Sequence, residues 1–482
     1  MAKLQSIIKE LSVSDYEAIY KSLIESNAEK SAYLLKSMRE YQIPDKKIMV
    51  ELGVNTSAYY TLRSRLNQRI EEYLLQELEN PRADILRKVA NINEILFTKK
   101  KTIAIATLKK LERELLDYDL SNELTIVYKS LKKMHMNAGD YFNYSQAYNK
   151  HVAYTLAIDK SEDLLAEYFK KYGAYVLEGH GPRSDLELIL LNKEMNNVCD
   201  LYESHRLYVY LSCITIFHRL FIEPEETLEM ELEPIEDILT NVEGIISLYQ
   251  LDSIYYHLRM VFDFLRLEYY NHYKVYRKAE EYYETVNETI SQLLSNYNLY
   301  TFPAQFLVTK ILRHMRMGTE NEMYEENEGI FHDFESDTND IPNHLIYVTY
   351  RALSCYYVDN YEKAARWINS LLNEVSFKRF PMGQLEVKCL LALQYCLLGE
   401  YDLFQQLINS IQRQIRLIGK ENCEHLVIFT KMLKISNSDA KRNKYEKISS
   451  LTEKLSKFKF VTFTPTLLIR MNEKLILQLS GE

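Results

Sequence analysis

Apolar residues recur every three to four positions along nearly the whole chain. Leu4, Ile7, Ile8 and Leu11 set the pattern at i, i+3, i+4 and i+7, the spacing that lines side chains along one helical face. A second amphipathic stretch runs from residue 18 to 38. A short helix opened by Asp45 then reaches Gly53, where a left-handed turn leads into a longer helix capped by Thr56 or Ser57. Tyr59, Leu62, Leu66, Ile70 and Tyr73 hold one face of that longer helix. Short helix, glycine turn and longer helix form a helix-turn-helix unit.

From about residue 83 the pattern becomes repetitive. An amphipathic helix, a polar break and a second amphipathic helix follow one another five times. The breaks are residues 98–101 before Ala104, 139–141 before Tyr144, 274–276 before Ala279, 359–361 before Ala364 and 399–401 before Phe404. Ala104 to Tyr144 and Ala364 to Phe404 are both 40 residues. A period near this length with two helices per unit is the mark of a helical solenoid. Ala104, Ala279, Ala352, Ala364 and Ala392 are the expected packing points, because small residues let neighbouring helices approach closely.

The segment from Val358 through Asp359, Asn360, Tyr361 and Ala364 to Trp367 resembles the second half of a tetratricopeptide (TPR) repeat. The usual proline after the second helix is missing and the unit is longer than the family's. The resemblance implies an all-α, right-handed α-solenoid of TPR-like helical hairpins. Residues 7–16, 52–63 and 96–104 are also similar to helical-repeat proteins of unassigned role from Bacteroidetes-type bacteria. That likeness implies a fold and a cytoplasmic setting, and no substrate or active-site residues. The expected organisation is an N-terminal helical region at 1–82 and a repeat array at 83–482.

Composition fits this picture. Only 12 glycines and 9 prolines occur in 482 residues, which leaves little room for hairpin strands or glycine-rich phosphate loops. The 39 tyrosines pair an apolar body with a polar tip and suit helices half exposed in a groove. Net charge is −9, yet residues 1–110 hold 19 Lys and Arg against 14 Asp and Glu. No stretch is apolar enough to span a membrane, no leader is evident, and the six cysteines lie in apolar helical stretches, as free buried thiols in a cytoplasmic protein do.

No catalytic constellation stands out. Residues 179–182 lack phosphate-loop spacing. His205 cannot share a helical face with both Cys199 and Cys213. The acidic stretch 223–233 reads as a solvated helix start, and those at 324–329 and 333–340 as surface loops. The expectation is therefore no enzyme, no cofactor, no metal and no small-molecule site. The favoured function is a protein-interaction scaffold whose tyrosine-rich, acidic groove takes a peptide with basic and apolar residues. The alternative is a transcriptional regulator. In that case Thr56, Ser57, Tyr60 and Thr61 meet bases, and Arg63, Arg65 and Arg69 hold phosphates.

Overall fold

The helical periodicity is realised throughout the computed structural model. It describes residues 4, 7–8, 11, 13–26, 28–39, 45–76, 81–178, 182–202, 204–222, 233–249, 253–295, 299–332, 334–438, 443–458 and 463–481. Among them there are α-helices, short 3-10 turns and no strands. The chain forms two compact units, Met1–Tyr144 and Ser145–Glu482.

In the first unit, α1 (Val13–Glu25) and α2 (Glu29–Arg39) pack together and both meet α4 (Thr56–Gln76). The single stretch expected over 18–38 is thus two helices. Ser26 turns its hydroxyl back to the Ser22 carbonyl at 2.8 Å, a local bond that competes with helix continuation. Between α2 and α4 lies α3 (Asp45–Glu51). Gly53 adopts φ +60° and Val54 N–H bonds Met49 carbonyl at 3.1 Å, the left-handed closure expected of this glycine. The cap of α4 differs from expectation. Asn55 Oδ1 accepts the Ala58 N–H at 2.8 Å, one residue before Thr56. Tyr59, Leu66 and Ile70 are fully buried in this core. Further helices α5 (Pro81–Ala90), α6 (Ile92–Thr98), α7 (Lys101–Asp117) and α8 (Ser121–Met134) complete the unit, with α5, α7 and α8 in mutual contact.

The second unit opens within α9 (Asp140–Glu178). The helices that follow pack consecutively on their neighbours. They are α10 (Pro182–Cys199), α11 (His205–Phe221), α12 (Ile235–Leu248), α13 (Ser253–His272), α14 (Tyr276–Ser295), α15 (Gln305–Met317) and α16 (Glu322–Ile330). After them come α17 (Ile341–Tyr357), α18 (Tyr361–Glu374), α19 (Pro381–Leu398), α20 (Tyr401–Ile418), α21 (Glu424–Ser436), α22 (Lys444–Leu455) and α23 (Glu473–Ser480). Helices consecutive in the chain pack against each other, as α13 with α14, α17 with α18, α19 with α20 and α21 with α22. The first helix of one pair also meets the first of another: α11 with α13, α13 with α15, α15 with α17 and α19 with α21.

One turn geometry recurs at the pair tips. Asp119, Lys274, Asp359 and Gly399 all have positive φ, between 51° and 73°. The next residue's N–H reaches back five positions in each: Leu120 to Leu115, Val275 to Tyr270, Asn360 to Cys355 and Glu400 to Tyr395, at 2.8–3.1 Å. Four residues further on, Leu124, Ala279, Ala364 and Phe404 close the first turn of the new helix and are buried. All five alanines named above are buried, at 0–2% exposure.

Of the two acidic stretches after Gly318, 324–329 lies in a helix rather than a loop, whereas 334–340 is non-helical as expected. In α16, Met323 and Asn327 are buried and Glu326 meets the buried Lys310 ammonium at 2.5 Å. A cation supplied by another helix makes an acidic helix packable.

Candidate interaction surface

Tyrosine does different work from that expected. Tyr59, Tyr168, Tyr210, Tyr255, Tyr283 and Tyr350 are fully buried, so much of the tyrosine content is core. Burial requires a partner for each hydroxyl, and other helices supply it. Tyr168 OH meets His218 Nδ1 at 2.9 Å, Tyr210 donates to Glu162 at 2.8 Å, and Tyr255 OH meets His205 Nδ1 at 2.7 Å. Tyr350 donates to Asn327 Oδ1 at 2.7 Å. His205 is half-buried and stacked on Tyr249 with ring centroids 4.3 Å apart. Burial pushes the Cys199 thiol up to about 12. All six cysteines are free thiols, five of them buried.

Residues 463–480 make contacts with partners far away in the sequence. They run across several helices of the second unit, and much of the contact is made by their main chain. Phe463 N–H donates to the Val176 carbonyl at 3.1 Å. Thr466 donates through its hydroxyl at 2.8 Å and its N–H at 3.3 Å to Glu386 Oε2. The opposite oxygen of that fully buried carboxylate meets His425 Nε2 at 2.5 Å. Tyr357 OH donates to the Leu468 carbonyl at 2.6 Å and accepts the Arg470 N–H at 3.1 Å. Tyr357 of α17 therefore bonds two backbone groups of the segment, the Leu468 carbonyl and the Arg470 N–H, and Glu386 of α19 bonds one, the Thr466 N–H.

Side chains complete the fit. Phe463, Pro465 and Leu468 lie against Leu307, Val308, Ile311, Ile346 and Tyr350 from α15 and α17. The Arg470 guanidinium bonds the Glu320 carboxylate and the Met315 carbonyl. Lys474 Nζ lies 2.8 Å from both oxygens of Asp359, the residue at the tip between α17 and α18. That pairing, with the Tyr361 hydroxyl, holds the Asp359 carboxyl below the usual carboxylate range against the opposing effect of partial burial, the largest single influence on it. Gln478 donates to Tyr361 OH at 3.0 Å. Tyrosines and carboxylates of the helices thus receive apolar and basic residues of the segment. Sequence reasoning missed the segment itself, since residues 463–472 show no helical period and their partners lie up to 287 positions away.

In the first unit, Tyr60, Thr61, Arg65 and Arg69 are exposed. Arg63 is half-buried, its guanidinium 5.9 Å from the ring of buried Tyr59, which draws it toward the core. The side chains of Thr56 and Ser57 lie outside the described residues, as do residues 179–181 and 223–232. His314, Glu322 and Glu326 place ligand atoms within 4.8 Å of one another. Lys310 already neutralises Glu326 there, and Thr319 Oγ1 lies 2.9 Å from His314 Nδ1. No described helix is long and apolar enough to cross a membrane. No protein-family model matches the chain, and no curated protein does.

Proposed function

We propose that the stacked helix pairs form a right-handed solenoid of TPR-like hairpins that works as a protein-interaction scaffold. The ligand is an extended peptide with apolar and basic residues. The observation that carries this reading is the lodging of residues 463–480, whose backbone N–H and C=O groups are bonded by Tyr357 and Glu386. Hydrogen bonds to a ligand's main chain give affinity, and pockets for its side chains give specificity. Arg470 against Glu320 and Lys474 against Asp359 add a charge requirement.

The test uses a fluorescein-labelled peptide of residues 463–480 and full-length protein carrying Arg470→Glu, which sets two carboxylates against each other at Glu320. The expected result is saturable binding of the peptide by the variant and weaker binding by the native chain, whose own segment competes. Failure of both proteins to bind the peptide refutes the reading.

A second reading rests on the exposed face of α4. Thr61, Arg65 and Arg69 recur at four-residue spacing and are exposed, so one side of the second helix of the helix-turn-helix presents cations. Steeply salt-dependent retention on duplex DNA, lost in an Arg65→Glu, Arg69→Glu variant, supports a transcriptional regulator. No retention at low salt removes it.

A further inference from the structure

A separate groove of ≈ 720 Å³ lies between α19 and α20, away from the Tyr357 and Glu386 contacts just described. Its lining contains three cations, Lys378, Lys388 and Arg413, and no carboxylate. The contrast with the rest of the chain is marked. The protein carries more acidic than basic residues, and Arg266, Arg313, Arg470, Lys171 and Lys474 are all paired with carboxylates. None of the three groove cations forms an ion pair among the described residues.

Lys388 is the most constrained of them. It is half-buried, and among the described residues its ammonium is held only by neutral oxygens, Ser410 Oγ at 3.2 Å and Gln414 Oε1 at 3.1 Å. Burial lowers its proton affinity. A charge removed from water without a counter-charge is costly, and an incoming carboxylate offsets that cost. Gln414 in turn donates to the Pro381 carbonyl at 2.7 Å and to Gln384 Oε1 at 3.2 Å, so the position of Lys388 is braced from the floor of the groove.

The other lining groups distinguish among anionic ligands. Gln384, Gln406 and Asn409 offer side-chain amides, which both donate and accept. A peptide backbone presents both kinds of partner, whereas a phosphodiester backbone presents acceptors alone. Phe377 and the strongly exposed Leu417 give one end of the groove an apolar wall that suits an aliphatic side chain. At about 0.15 M ionic strength the screening length is about 8 Å, so a seated segment feels these cations far more than the overall charge of the chain.

We infer that the groove between α19 and α20 docks an extended acidic segment of a partner protein, with Lys388 and Arg413 as its carboxylate contacts and the amides bonding its main chain. Its ligand chemistry is opposite in sign to that of the surface holding residues 463–480, and it stands independently of that surface.

The experiment uses full-length protein and a short fluorescein-labelled peptide alternating glutamate with leucine, read by anisotropy. A matching peptide with glutamine for glutamate and a single-stranded oligonucleotide of equal charge serve as comparisons. The expected result is saturable binding of the acidic peptide, weakened about tenfold or more by Lys388→Gln with Arg413→Gln and by the glutamine peptide. Arg413→Gln alone changes an exposed residue, so its several-fold loss is read on a chain whose circular dichroism matches the native one. No binding by the native chain overturns the proposal, as does equal binding by native and double-variant proteins. Tighter binding of the oligonucleotide than of the peptide overturns the assignment to a protein partner.

Discussion

Replacing Glu268 by glutamine is expected to flatten part of the pH dependence of stability in a calculable way. Glu268 lies on α13, buried, with Thr309 Oγ1 donating to its Oε2 at 3.0 Å. Its Oε1 has no hydrogen-bond partner among the described residues. Burial pushes the carboxyl from its ordinary 4.5 up to about 8, the Thr309 bond opposing only in part. Between those values the unfolded chain gives up this proton while the folded chain keeps it. The native state therefore loses stability as pH rises, and the loss is absent below 4.5. At about 1.4 kcal/mol per tenfold change in proton affinity, the loss reaches roughly 4 kcal/mol at pH 8 and stays below about 1 kcal/mol at pH 5. Glu268→Gln mimics the protonated form at every pH. Denaturant unfolding of both proteins across pH 5 to 8 should show curves that nearly meet at the acid end and part steadily toward the alkaline end, the variant being the more stable. Burial depresses His218 to about 4, so its contribution is present above 6.5 and lost as pH falls toward 4. It is common to both proteins and cancels in their difference. A difference that does not change with pH would refute the argument.

Three further outcomes follow from the packing. Gly399→Ala meets no atom within 4 Å of the added carbon but sits at φ +73°, so it should cost about 1 kcal/mol, while Lys274→Gly at φ +58° should gain a similar amount; opposite shifts in thermal midpoint check the pair. Lys310→Met leaves Glu326 and His314 facing an uncompensated site and should cost about 3 kcal/mol, with Lys310→Met, Glu326→Gln together recovering most of it in a double-mutant cycle. Ala392→Leu, at a position with 0% exposure, should cost about 1–3 kcal/mol by overpacking, measured by denaturant midpoint, whereas a leucine at exposed Lys274 should be neutral within about 0.5 kcal/mol.

The pair tips were the most readable part of the chain. At Lys274, Asp359 and Gly399 a left-handed residue, one spacer and a tyrosine open the next helix, all within a few positions of one another. Local chemistry of that kind is visible in a single sequence. The cap at Asn55 was missed by one residue because Thr56 and Ser57 are equally good capping types, and only the Ala58 bond separates them. The helix Glu322–Ile330 was misread as a loop because its acidity is compensated by Lys310, on a different helix. Tyr357, Tyr361, Asp359 and Glu320 hold a segment of the same chain, a packing role that nothing near them in sequence announces. Nothing local marks that pairing: Tyr357 and Leu468 meet across 111 positions.

The buried tyrosines have a mechanical corollary. Two helices that touch only through aliphatic side chains can slide or roll against each other at small cost, because one hydrocarbon contact replaces another. A phenol whose tip is bonded to the opposite helix removes that freedom, since either movement strands a polar atom. Tyr168 with His218, Tyr210 with Glu162, Tyr255 with His205 and Tyr350 with Asn327 are pins of this sort. They make the second unit resist torsion, so that pulling on one helix pair is passed to the next as a rigid displacement rather than absorbed as slippage.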